Sequence, residues 1–237
     1  MKEQIYNLQS VANSSASDRA GFIRRTYAHL AVAILAFIAI EYYLVNSPFA
    51  ASLASSMTGG MSWLVVIGLF MGVSYIANKL AVSQTSQQMQ YLGLGLFVVA
   101  EAIVFLPLLY IATIYGGDGV IASAGMMTLL LVGGITATVF ITKKDFSFMG
   151  SFLSMGGFVA LGFILCSMIF GFSLGLIFAS VMVVFAGGAV LYSTSNVLHQ
   201  HSTDQHVAAA LSLFASVALL FFYILQVLMS LGGGGDV

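Results

Sequence analysis

The chain is predicted to be an all-α integral membrane protein, a bundle of seven transmembrane helices with the C-terminal helix central. Three observations predict it. Of 237 residues, 60% are apolar and only 6% are charged, whereas a soluble domain carries about 25% charged residues to cover its surface. Uncharged apolar runs long enough to cross a hydrocarbon core of about 30 Å recur along the whole chain. The last run, Val207–Leu231, repeats small residues at Ala208, Ser212 and Ser216. That four-residue spacing stacks them on one helix face, where another helix can approach closely.

The elements follow in order. Residues 1–21 are polar and form a cytoplasmic N-terminus. Phe22–Val45 is apolar, longer than a signal-peptide core and without a clear small-residue cleavage site, so it is a retained first helix. Met61–Val82, Gln87–Ile114, Gly119–Ile141, Phe148–Phe170, Ser173–Leu198 and Val207–Leu231 supply six more spans. Residues 22–231 thus make the transmembrane domain, and 232–237 a glycine-rich tail. Short connections make sequential helices antiparallel neighbours, and no internal repeat is visible. Pro107 removes one backbone hydrogen bond in the third span and predicts a bend there. Gly68 and Gly72, and the pair Gly133-Gly134, are expected at helix–helix packing positions.

Basic residues set the orientation, because Lys and Arg are retained on the cytoplasmic side. With the N-terminus inside, Lys2, Arg19, Arg24, Arg25, Lys79, Lys143 and Lys144 all fall on that side. The outer connections then hold Pro48, the Ser/Gly-rich run 51–60, Asp118 and the tail. Tyr42, Tyr43, Trp63, Tyr110 and Tyr115 sit at the outer ends, where amphipathic rings favour the interface. This gives a multi-pass membrane protein with its C-terminus outside.

Glu101 is the outlier. It lies mid-span, where a charge costs about 2.5–3.5 kcal/mol on insertion scales, and no Lys or Arg shares its depth. The neutral acid is then the cheaper form. It serves either as a hydrogen-bonding group between helices or as a relay for protons or cations. Glu41, close to an outer helix end, is expected to reach the headgroups.

The loop between the last two spans holds His199, His201, Asp204 and His206. These offer ligands in number for zinc, but their spacing matches no established metal pattern. A solvated turn is favoured over a pH-responsive loop, and both over a metal site. No metal or other cofactor is expected. Gly171, Ser173 and Gly175 match G-x-S-x-G, yet that motif needs a preceding strand and a nearby histidine. Here the flanks are membrane helices and all four histidines fall in the inner half, so the chain is not predicted to be an enzyme. The one cysteine, Cys166, excludes an intrachain disulfide, and no basic cluster exists to bind nucleic acid.

Three stretches carry a family resemblance. They are Phe22-Ile23-Arg24-Arg25-Thr26-Tyr27, the run Thr142 to Gly150, and Val190-Leu191-Tyr192-Ser193-Thr194-Ser195-Asn196 followed by Ala209 to Phe214. In order and spacing the chain resembles the Bax inhibitor-1 family, most of all bacterial members that include the YccA-type modulators of the FtsH protease. The resemblance implies a seven-helix bundle with the last helix at the centre. It also implies a choice of partners: a membrane protease such as FtsH, or calcium or protons. Many members carry aspartates at the places of Ser193 and Ser216, sharing a proton and controlling a pH-sensitive calcium leak. Hydroxyls stand at both places here, and Leu219 replaces an asparagine common one turn later. That favours a modulator of FtsH and of membrane stress over a calcium leak.

Overall fold

The computed structural model describes residues 11–58, 62–83 and 86–232. Lys2, Gly59–Met61 and the tail beyond Gly232 lie outside the described residues. A single 3-10 turn, Val11–Asn13, precedes eight α-helices among the described residues. They are α1 (Ala16–Val45), α2 (Ala50–Thr58), α3 (Ser62–Ala81), α4 (Gln87–Tyr115), α5 (Val120–Thr142), α6 (Met149–Phe170), α7 (Gly175–His199) and α8 (His206–Leu231). All but α2 are long and apolar enough to span a membrane. The protein is therefore an all-α membrane bundle of seven spans, as the apolar runs predicted.

Two elements depart from the sequence reading. α1 starts six residues earlier than expected, because Ser15 caps it. The Ser15 hydroxyl accepts from the Asp18 amide at 3.1 Å and donates to the Asp18 carboxylate at 2.7 Å, satisfying an amide that the first turn leaves without a helical partner. The Ser/Gly-rich connection after α1 is not irregular either. It contains α2, whose Ala50, Ala54 and Met57 form one buried face. Its serines turn their hydroxyls back onto its own carbonyls, Ser52 to Phe49, Ser55 to Ser52 and Ser56 to Leu53.

The chain divides into two compact units, one of Met1–Tyr110 with Asn196–Ala215, the other of Ile111–Ser195 with Ser216–Val237. In the first, α1 buries Phe22, Thr26, Leu30, Ala33, Phe37 and Glu41, a stripe at the helical period. Phe37 meets Phe105 of α4 at 5.1 Å and Phe214 of α8 at 5.9 Å, and Phe97 meets Phe214 at 6.1 Å. These edge-on rings form an aromatic layer joining three helices. α3 closes on α4 where Gly93 lies flush against the Ala77 carbonyl.

In the second unit, Ala160, Ala179, Met182 and Tyr223 form a core that α6, α7 and α8 share. Gly150 and Gly156 of α6 make room for Tyr192 and Phe185 of α7. The glycines expected to pack do not. Gly68, Gly72, Gly133 and Gly134 have nothing within contact distance of where a side chain would begin. They face outward on α3 and α5, because apolar surface in lipid gains nothing from turning inward and the small-residue pattern alone does not choose a face.

α8 is the most buried span. Of its apolar window, 72% is buried, against 56% for α4 and 22% or less for the others. Ala208 and Ser216 are buried and Ser212 is half-buried, so the small-residue face does point into protein.

Candidate functional site

The polar run of α7 places three hydroxyls within the second unit. Ser193 Oγ lies 2.8 Å from Ser216 Oγ of α8, with both side chains buried. Ser193 stands six residues before the end of α7 and Ser216 ten residues into α8. The two positions meet despite that offset of one turn. Ser195, fully buried, accepts the Phe146 amide at 2.8 Å, which ties the polar run 142–150 to α7. Thr194 is also fully buried, and its hydroxyl finds no partner.

This arrangement can hold a hydrogen bond but not a cation. A hydroxyl does not titrate near neutrality, and calcium takes 6–8 oxygen ligands, commonly including charged carboxylates. Beside it, α5, α6 and α7 border an apolar groove of about 1370 Å³ whose polar lining is limited to Thr138 and Ser173. Ser173 sits in the turn between α6 and α7 with no strand before it.

The remaining sequence candidates fall in the first unit. Glu101 lies mid-way along α4 and is 8% exposed. Glu41 is 5% exposed, and both its carboxyl oxygens are buried without a hydrogen-bond partner. The expectation that it reaches the headgroups is wrong. It continues the buried stripe of α1 one turn beyond Phe37 and points inward with it.

The histidine loop is not a free solvated turn. The Val11 amide donates to the His201 carbonyl at 2.9 Å, and Arg19 donates to the carbonyls of Val11 and Ala12. The N-terminal turn thus folds over the loop. His201 packs near Phe22, with ring centroids 6.4 Å apart. Burial pushes its imidazole below the usual histidine range, and a hydrogen bond with Gln205 partly opposes that. Asp204 stays exposed. His199 keeps a buried Nε2 without a partner. Among the described residues no three His, Cys, Asp or Glu side chains are grouped to hold a metal ion.

His206 lies beside the Asp204 backbone and also meets His29 of α1, with ring centroids 5.0 Å apart. His29 stacks on Tyr91 at 5.4 Å, with its Nδ1 2.7 Å from the Arg25 carbonyl. Sequence reading missed this pairing, because nothing local links positions 29 and 206.

A protein-family model, described as Inhibitor of apoptosis-promoting Bax1, matches residues 19–233. The chain belongs to the Bax inhibitor-1 family. It is 32% identical to an uncharacterized Pseudomonas aeruginosa protein over the full length of both chains. It is also similar to protein LIFEGUARD 4 of Arabidopsis thaliana, 29% identical across 88% of this chain and 84% of the relative. Bax inhibitor 1 of Schizosaccharomyces pombe is 28% identical across 95% of this chain and 82% of the relative. Family membership and seven apolar spans together make this a multi-pass membrane protein.

Proposed function

We propose that this Bax inhibitor-1 family member is a non-enzymatic regulator in the bacterial inner membrane. It acts through helix contacts on a membrane-embedded protease of the FtsH type, with its N-terminus in the cytoplasm and its C-terminus outside. The observation that carries this reading is the Ser193–Ser216 hydroxyl pair. Where many relatives place two carboxylates, this chain has two groups that neither share a titrating proton nor neutralise calcium. The open glycines on α3 and α5 agree with it, since exposed small residues in lipid suit the approach of another helix.

The test is reconstitution of the protein with FtsH and a membrane substrate. Slower proteolysis and co-purification of the two are expected, with no calcium flux in vesicles holding the protein alone. Unchanged proteolysis together with strong calcium flux would overturn the reading.

A second reading, a leak for protons or other small cations, is favoured by a different observation. Glu101 and Glu41 are both buried in spanning helices of the first unit, and every described Lys and Arg of that unit lies towards the helix ends that carry Arg19 to Arg25 and Lys79. An ionisable group inside a membrane span is by default a candidate for an ion pathway.

A further inference from the structure

We propose that the seam of α1, α4 and α8 in the first unit is a proton path, with Glu41, Glu101 and the His29–His206 pair as its successive stations. The proposal rests on the second reading above and names its ion and its residues.

The order of the stations follows from one contact. Phe37 of α1 and Phe105 of α4 meet at 5.1 Å, and both helices cross in the same direction as first and third spans. Glu41 lies one turn beyond Phe37, and Glu101 lies one turn before Phe105. The acids therefore sit on opposite sides of the Phe37–Phe105 contact, about 12 Å apart along the axis at 1.5 Å per residue, with Phe97 one turn beyond Glu101. His29 lies two turns before Phe37 and stacks on Tyr91, ten residues before Glu101 on α4, so it lies one to three turns beyond Glu101 on the far side from Glu41. His206 joins it there from α8.

Each station has an unused valence. Among the described residues, both oxygens of Glu41 are buried without hydrogen-bond partners, as is Nδ1 of His206, which is 2% exposed. Glu101 makes no hydrogen bond with a described residue. His29 is oriented by the Arg25 carbonyl through Nδ1, leaving Nε2 to accept or give a proton. The charged and titratable groups around the histidines are Arg25 on α1, Tyr91 on α4 and Asp204 before α8. α3 adds only Lys79 at its end and the exposed Tyr75.

The chemistry is transfer of one proton through water. A proton from bulk water protonates Glu41. Rotation of Phe37 and Phe105 admits a chain of several waters, which takes the proton from the acid and gives it to the ionised Glu101 carboxylate. A second water chain hands it to an imidazole nitrogen of the histidine pair, which releases it to bulk water. Calcium is not the ion carried, because each level offers one carboxyl and the metal needs several oxygens at once. The Phe37–Phe105 contact between the acids makes this a gated path rather than a pore.

The test uses the full chain in vesicles loaded with a pH-sensitive dye, with a potassium diffusion potential to drive proton entry. The expected result is proton uptake at least about tenfold above protein-free vesicles. Glu41→Gln and Glu101→Gln should each abolish it, Glu41→Asp and Glu101→Asp should retain it, and Phe37→Ala should raise it several-fold. Cys166→Ser should leave it unchanged. Potassium or calcium uptake without proton uptake would overturn the proton path but leave the second reading standing, whereas no uptake of any ion overturns both. Equal proton uptake by the parent and both glutamine variants also overturns it. Should those variants fail to fold, infrared spectra of the folded parent decide: a protonated-carboxyl band that fades with rising pH is required, and its absence ends the proposal.

Discussion

The Phe146 amide donates to Ser195 Oγ at 2.8 Å across 49 residues of sequence. The loop between α5 and α6 is thereby fastened to α7 through a hydroxyl that is itself fully buried. Replacing Ser195 by Ala leaves the amide without its acceptor, and stranding such a donor costs about 1–3 kcal/mol. Ser195→Ala is expected to lower the thermal midpoint in detergent while the protein still inserts. An unchanged midpoint would mean that water replaces the hydroxyl at no loss.

Converting the neighbouring hydroxyl pair to carboxylates should create a new activity. At 2.8 Å, Ser193→Asp with Ser216→Asp places two acids where both cannot ionise cheaply, so they titrate as one coupled pair. Calcium flux with a pH dependence absent from the parent is expected in vesicles. Each single variant should show less, having no second carboxylate to share the proton. A folded double variant with ordinary, uncoupled titration would contradict the geometry.

Two nearby glycines of α4 should behave oppositely. A Cβ on Gly93 would lie 2.6 Å from the Ala77 carbonyl and 2.7 Å from the Ala81 amide nitrogen, both backbone atoms that cannot swing aside. Gly95 meets nothing within 4 Å. Gly93→Ala should separate α3 from α4 and sharply reduce the yield of folded protein. Gly95→Ala should fold as the parent does, or slightly better given alanine's helix preference. Equal yields would rule out the close approach of α3 and α4.

The half-buried His201 makes stability fall with acid. Its folded imidazole titrates below the ordinary value of 6.5 because burial disfavours the cation. Below about pH 6.5 the unfolded chain takes up a proton that the folded chain refuses, so stability drops as pH falls through that window. Above it both forms are neutral and the effect vanishes. Thermal midpoints measured from pH 7.5 to 5 should show this slope in the parent. His201→Gln should flatten it, and an identical slope in the variant would assign it to other groups.

Orientation can be read with cysteines in a Cys166→Ser background. Asp118→Cys should react with an impermeant thiol reagent in intact cells, and Lys144→Cys only after permeabilisation. The reverse pattern would invert the proposed topology.

The spans were legible because apolar runs of bilayer length leave no other reading. The early start of α1 was also written in the sequence, in the Ser15-to-Asp18 spacing of an N-cap. Glu41 could have been placed by counting in fours from Phe37, but its position near a helix end suggested an exposed side chain. No local signal pairs His29 with His206, or shows which glycines face protein. Those relationships depend on how distant helices pack, and in lipid an apolar residue is equally at home on either face.

The composition of the two units bears on how the chain is made. Each unit takes residues from α8, Asn196–Ala215 reaching into its first half and Ser216–Val237 into its second. Phe37 and Phe97 wait on Phe214, and Ser193 waits on Ser216, for partners that leave the ribosome after every other helix. Of the described helices, the earlier ones therefore rest in the bilayer with the faces that α8 covers still open, until its insertion supplies Phe214 to one unit and Ser216 to the other.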